Sequence, residues 1–160
     1  MLIKFSEEQT MIRDMVREFT KKEVEPRDKW TDENGFDFNL YNRLCSTGLV
    51  GVHFPEEYGG AGCDAVTSTI VIHELSKGSA SLALALDISW VASDMILHNG
   101  TPEQKSKYLS LAAEGKIFAF GLTEASAGSD AARIQTTAVK APDGGWILNG
   151  GKSWITNSGV

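Results

Sequence analysis

Apolar residues recur at helical spacing over the first two thirds of the chain and at alternating positions after that. Met11, Ile12, Met15, Val16 and Phe19 share one side of a 3.6-residue period, and Ser6-Glu7-Glu8-Gln9 in front of them has the form of a capping box. The pattern predicts a first helix from about Glu7 to about Glu23, stopped before Pro26. A polar, aromatic-dotted loop from Trp30 to Asp37 then leads to a short second helix carrying Leu40, Tyr41, Leu44 and Cys45. Gly48 is placed to close that helix in the left-handed conformation.

Val50 to Gly62 holds glycines at 51, 59, 60 and 62 around Pro55, which predicts a loop pressed closely against something else. A third helix follows from Asp64 to about Lys77 on Val66, Ile70, Val71 and Leu75. A fourth runs from Ser79 to about His98 and is closed by Asn99-Gly100. It lacks a clear polar face, which predicts a central place in a bundle. Thr101-Pro102-Glu103-Gln104 marks a second sharp helix start, with a cap, a proline in the first turn and an acid beside it. The fifth helix ends by Gly115.

Beyond residue 115 the period changes. Lys116 to Leu122 reads as a short apolar strand, and Arg133 to Lys140 alternates Ile134, Thr136 and Ala138 against Gln135, Thr137 and Val139. A turn at Pro142-Asp143-Gly144-Gly145 precedes Trp146-Ile147-Leu148. Asn149-Gly150 reads as a two-residue hairpin before a strand over Ser153-Trp154-Ile155-Thr156. The expected fold is therefore α+β. An N-terminal all-helical bundle over residues 1–115 is followed by the beginning of an antiparallel β-domain over residues 116–160. Strands that stop at Val160 would leave edges unpaired, so the chain is expected to be the front of a longer polypeptide.

Composition narrows the partners. A net charge of −6 over 160 residues argues against nucleic acid, so any phosphate-bearing ligand needs local donors. The two cysteines, Cys45 and Cys63, form no metal or redox motif. The acidic start at Glu7-Glu8 is unlike a signal or transit sequence, and the nearly apolar stretch from Ser81 to Ala92 is too short to span a bilayer. These features lead to the expectation of a soluble, cytoplasmic chain with no membrane partner.

Two segments carry candidate chemistry. Gly121-Leu122-Thr123-Glu124-Ala125-Ser126-Ala127-Gly128-Ser129-Asp130 sets hydroxyls, small residues and two carboxylates directly after an apolar run. Successive amides among small residues suit an anion, so the segment is either a phosphate- or cofactor-contacting loop or a plain connection between strands. Trp154 and Thr156, two apart, would share one face of a strand beside a planar heterocycle, or serve as core and edge. Gly151-Lys152-Ser153 mimics the end of a P-loop, but the upstream glycine that motif requires falls on Trp146. Gly59 to Gly62 does not fit the dinucleotide fingerprint. His53, His73 and His98 are far apart, and His73-Glu74 reads as a surface or half-buried pair.

In combination these segments have a family likeness. Pro55-Glu56-Glu57-Tyr58-Gly59-Gly60-Ala61-Gly62, Leu122-Thr123-Glu124 through Ala127-Gly128-Ser129-Asp130, and Asn149-Gly150 to Trp154-Ile155-Thr156-Asn157, following a helical bundle, resemble the acyl-CoA dehydrogenase family over the whole chain. The resemblance implies an FAD-dependent enzyme that removes a proton alpha to a thioester carbonyl and passes a hydride from the beta carbon to the flavin. It implies cofactor contacts from Phe120, Leu122, Thr123, Gly128, Ser129, Trp154, Ile155 and Thr156. Phe120, Leu122 and Thr123 would lie along the flavin ring, and Gly128 and Ser129 near the phosphates. Trp154 would lie over the ring face away from substrate, with Thr156 near the hydride-accepting nitrogen. Ser129 would also touch the acyl-CoA.

The implied catalytic base belongs to a C-terminal helical domain beyond Val160, so neither Glu124 nor Asp130 takes that role. The implied partners are an acyl-CoA substrate, an electron-transferring flavoprotein and further copies of the same chain in a dimer or tetramer. Arg133 and Ala125-Ser126 depart from the family pattern, which has a small residue and proline-glycine at these places. The competing reading is a non-catalytic helical module that binds an acyl-CoA or a partner. The 160 residues alone are expected to be inactive as a dehydrogenase and to unfold with poor cooperativity.

Overall fold

The computed structural model describes residues 4–27 and 35–160. Most of the loop expected from Trp30 to Asp37 thus lies outside the described residues. Ser6 opens α1 (Glu7–Phe19) with a complete capping box: the Gln9 amide donates to Ser6 Oγ, and the Ser6 amide donates to Gln9 Oε1. The helix then loosens into a π-type turn over Thr20–Val24 and a 3-10 turn over Glu25–Arg27, where Pro26 ends it. Its core face is narrower than the apolar pattern suggested. Val16 is fully buried, with Ile12 and Phe19 against the core, whereas Met11 and Met15 point outward.

Asp37 caps α2 (Phe38–Cys45), which buries Leu40, Tyr41 and Leu44, and Gly48 takes the expected left-handed backbone at φ 77°. The glycine-rich loop presses on the end of the fifth helix. A Cβ at Gly51 would stand 3.0 Å from the Ala113 carbonyl, and one at Gly60 would overlap the Phe54 carbonyl. Leu49, Val50, Val52 and Phe54 are buried there, so the loop is part of the core. α3 (Ala65–Ser76), α4 (Ala80–Asn99) and α5 (Pro102–Ala113) complete the bundle. They start at Asp64, Ser79 and Thr101, each of whose side chains accepts from a backbone amide of the first turn.

α4 holds the centre, packed on α3 and α5. It buries Leu82, Ala83, Ala85, Leu86, Ser89, Trp90 and Ser93, and the Trp90 indole donates to the Val50 carbonyl at 2.7 Å. At 20 residues, with a mean hydropathy of 1.5 over an 18-residue stretch, it is long and apolar enough by length and composition to cross a bilayer, which corrects the sequence count based on Ser81 to Ala92 alone. Its buried residues are those of a core helix.

Among the described residues the second unit contains one sheet. Strands β1 (Thr137–Lys140) and β2 (Trp146–Asn149) pair antiparallel, with Thr137 opposite Asn149 and Lys140 opposite Trp146. The turn expected at 142–145 forms between them, with Gly144 at φ 88° and the Gly145 amide donating to Asp143 Oδ1. Three expected features are absent. Lys116 to Leu122 forms no strand and has no ladder partner, and it is held to α4 through Phe118 instead. Asn149-Gly150 makes no hairpin. Gly150, at φ 150°, lies against the Thr136 backbone, where a Cβ would clash, so the glycine serves close approach. Ser153 to Thr156 is no strand but a bend at Trp154 that runs into a turn over 156–159, because Trp154 (φ 60°) and Asn157 (φ 69°) are left-handed and break the alternation a strand requires.

Candidate functional site

The two segments singled out in the sequence are side by side. The Ser153 amide donates to the Thr123 carbonyl at 2.9 Å, and Lys152 Nζ donates to the Leu122 carbonyl at 3.1 Å. The 121–130 segment turns back on itself where Glu124 and Ala127 exchange backbone hydrogen bonds, leaving Gly128 and Ser129 on an exposed limb.

Glu124 binds these pieces together. Its carboxylate accepts from the Gln135 amide at 2.7 Å, the Thr136 amide at 3.0 Å and Lys152 Nζ at 2.7 Å. Three elements thus converge on one carboxylate: the candidate loop, the approach to β1 and the segment leading to Trp154. The Lys152 ammonium first, then the groups of Thr136 and Gln135, hold the carboxyl at about 2, against an ordinary 4.5. A carboxylate so fully engaged is a poor proton acceptor near neutral pH, so Glu124 is structural. Asp130 also has a local task, accepting from the Ala132 amide at 3.3 Å as the cap of a short turn.

The eight residues expected to contact a cofactor fall into two groups. Phe120, Leu122 and Thr123 lead into the loop that carries Gly128 and Ser129, and Trp154, Ile155 and Thr156 occupy the adjoining turn. Trp154 is 94% exposed, which excludes the reading of its ring as ordinary core. The hydroxyls of Thr123, Ser129 and Thr156 have no hydrogen-bond partner among the described residues, and neither do the amides of Gly128, Ser129 and Asp130. An added Cβ at Gly128 would meet nothing within 4 Å. The result is an indole plate, a row of unengaged donors and an open approach.

Sequence reasoning missed three contributors. Lys152 entered it only as a P-loop mimic, and its partner Glu124 is 28 residues away. Asn157 closes the turn by donating to the carbonyls of Ala85 and Phe118, and Ser89 on α4 accepts from the Phe118 amide at 3.1 Å. The only local signal was an asparagine after Thr156, a residue that tolerates left-handed backbone. Arg133 is exposed and makes no ion pair among the described residues.

Other polar groups lie apart from the site. His53 Nε2 faces Asp94 Oδ1 at 3.2 Å, with its ring between those of Phe54 and Trp90. Glu74, expected at a surface or half-buried pair with His73, is instead buried and clasped by Arg17 and Lys77. A cleft of about 570 Å³ between Val24, Phe36, Leu40 and the start of α4 from Gly78 to Leu82 touches none of the eight candidate residues.

Comparison with known proteins bears on this arrangement. The sequence model of the acyl-CoA dehydrogenase N-terminal domain matches residues 6–116, and that of the acyl-CoA dehydrogenase middle domain matches residues 119–160. The chain belongs to the acyl-CoA dehydrogenase family. Its curated relatives include an acyl-CoA dehydrogenase of Bacillus subtilis, 43% identical over 97% of this chain and 41% of the relative. The fold matches butyryl-CoA dehydrogenase from Megasphaera elsdenii at TM-score 0.90 and 35% identity, over 99% of this chain and 43% of that one. It also matches an acyl-CoA dehydrogenase complexed with FAD from Bacillus anthracis, at TM-score 0.88 and 38% identity, over 96% of this chain and 27% of that one. This acyl-CoA dehydrogenase family chain thus spans about two fifths of the length of the curated relative above. Within the family frame, the α+β order of helical bundle then antiparallel sheet is that of an N-terminal domain followed by middle-domain sequence.

Proposed function

We propose that this chain forms the flavin-facing part of an FAD-dependent acyl-CoA dehydrogenase that oxidises an acyl-CoA to the trans-2-enoyl-CoA. The observation that carries the reading is the joining of the 121–129 loop to the 153–156 turn through Ser153–Thr123 and Lys152–Glu124. It brings together the two segments on which the family resemblance rests. The donor set suits the cofactor: an exposed indole for a planar ring, hydroxyls for its polar edge, and unengaged amides at Gly128 and Ser129 for phosphate.

In this reading Phe120, Leu122 and Thr123 line the ring, with the Thr123 hydroxyl at its pyrimidine end. Gly128 and Ser129 meet the phosphate region by amide donation, and the Ser129 hydroxyl also holds the acyl-CoA. Trp154 covers the ring face opposite the substrate, Ile155 packs beside it, and the Thr156 hydroxyl donates near the reactive nitrogen. When bound, FAD supplies the acceptor for the hydride that leaves the beta carbon. Local donors do the anion binding in a chain whose net charge of −6 would otherwise repel both ligands. The base that takes the alpha proton is assigned to no residue of this chain, because Glu124 and Asp130 are both occupied in holding its loops. An electron-transferring flavoprotein as acceptor and self-association into a dimer or tetramer complete the proposal.

The test uses protein expressed from its complete reading frame. The reading expects one FAD per chain and bleaching of the flavin absorbance when an acyl-CoA is added without oxygen. Protein that is well folded yet holds no flavin, and takes none up when it is supplied, contradicts the reading.

A further inference from the structure

The 153–157 turn contains two non-glycine residues with left-handed backbone, Trp154 at φ 60° and Asn157 at φ 69°. Such residues are disfavoured and persist where their surroundings over-determine them. On the upstream side the turn is tied to the candidate loop by the Ser153 amide on the Thr123 carbonyl and by Lys152 Nζ on Leu122 and Glu124. Among the described residues, the hydrogen bonds that tie its downstream side to the rest of the chain come from one side chain. Asn157 Nδ2 donates to the Ala85 carbonyl on α4 at 2.8 Å and to the Phe118 carbonyl at 2.9 Å, with Ser89 Oγ at 3.4 Å.

Asparagine suits this place on two counts. It tolerates the left-handed region better than other residues with a Cβ, and its amide has two N–H groups, which the two short bonds engage. Both acceptors are backbone carbonyls, one in the central helix and one in the chain that leads to Phe120. One carboxamide therefore links the helical bundle, the approach to the loop and the turn that presents Trp154.

We infer that Asn157 is a positioning residue. It docks the 153–157 turn on α4 and thereby fixes Trp154, Ile155 and Thr156 relative to Phe120, Leu122 and Thr123. The consequence for the cofactor rests on the flavin reading above, whereas the docking does not.

The experiment uses two variants of protein from the complete reading frame, with folding checked by far-UV circular dichroism. Asn157→Gly keeps the left-handed backbone and removes both donors. Asn157→Asp keeps the size, and as a carboxylate it sets oxygens against two carbonyls, but its protonated form regains one donor. In FAD-free protein, the amides of Phe118 and Ser153 are expected to exchange with deuterium at least about tenfold faster in Asn157→Gly. The same variant is expected to bind FAD at least about tenfold more weakly. The deficit of Asn157→Asp relative to wild type is expected to shrink as pH is lowered from 8 to 5. That pH trend decides the matter by itself if Asn157→Gly does not fold.

Unchanged exchange at Phe118 and Ser153 overturns the docking role. Wild-type FAD affinity in Asn157→Gly, or a pH-independent deficit in Asn157→Asp, overturns the positioning of the cofactor site. Wild-type protein that binds no FAD removes the flavin reading instead, and the exchange measurement still decides whether Asn157 docks the turn.

Discussion

Replacing Glu74 by glutamine tests the electrostatics of the helical bundle directly. The Glu74 side chain is 3% exposed and its carboxylate accepts from Arg17 Nε and Nη2, each at 3.1 Å, and from Lys77 Nζ at 2.8 Å. Burial by itself pushes this carboxyl up, but the hydrogen bonds and charges of Arg17 and Lys77 outweigh it and hold the group at about 2, against an ordinary 4.5. By linkage that depression corresponds to about 3 kcal/mol at roughly 1.36 kcal/mol per unit. Arg17 and Lys77 are 40% and 47% exposed, so solvent screening reduces the figure to about 1–2 kcal/mol. A carboxylate with a depressed pKa stabilises fully above its unfolded value, and the contribution disappears as pH falls through the folded value.

Glu74→Gln should therefore lower the urea midpoint of the helical signal at pH 7 by about 0.5–1 M. The deficit should shrink to less than about half by pH 3, because most of the window between 4.5 and 2 has then been crossed. Equal stability of variant and wild type at pH 7 would mean that Arg17 and Lys77 do not stabilise the Glu74 carboxylate. So would a deficit that stays the same from pH 7 to pH 3.

Trp90→Phe should cost about 1–3 kcal/mol, because it leaves the Val50 carbonyl buried without its indole donor; comparative thermal melts check this. Lys152→Met removes the ammonium that joins Glu124 and the Leu122 carbonyl, and FAD affinity measured by flavin fluorescence should fall by about tenfold or more. Gly128→Ala meets no neighbour within 4 Å, so folding stability should stay within about 0.5 kcal/mol. FAD binding should nevertheless weaken, since the added methyl occupies the approach to the amides; a variant with both properties intact places the phosphate elsewhere.

The helical half was legible because its signals are local. Both capping boxes, Ser6 with Gln9 and Thr101 with Gln104, form as their spacing indicates, and Gly48 takes the left-handed turn expected of it. The exposed sides of Met11, Met15 and Val66 were not legible, since a wide apolar stripe does not say which part of it a neighbour will cover. The buried state of Glu74 depends on Arg17, 57 residues away, and no window along the chain could have joined them.

The β-part was misread where the backbone leaves the regular regions. Alternation at 153–156 looks like a strand until Trp154 and Asn157 are left-handed, and Asn149-Gly150 looks like a hairpin until Gly150 is needed against Thr136. Of the site, the 121–130 segment was readable as a cluster of small and hydroxyl residues, and the 154–156 segment as an aromatic two residues before a hydroxyl. The Glu124–Lys152 tie and the Asn157 clamp that hold them together were not, because each joins positions far apart in the chain.

We propose that FAD sits between the 120–129 loop and the 153–157 turn. Deuterium exchange of protein from the complete reading frame, compared with and without FAD, tests it most directly. Peptides covering 120–130 and 153–157 should gain protection on FAD addition, with those from α1 and α3 unchanged. Stoichiometric FAD binding that protects other regions and leaves both of these segments exchanging as before would contradict it.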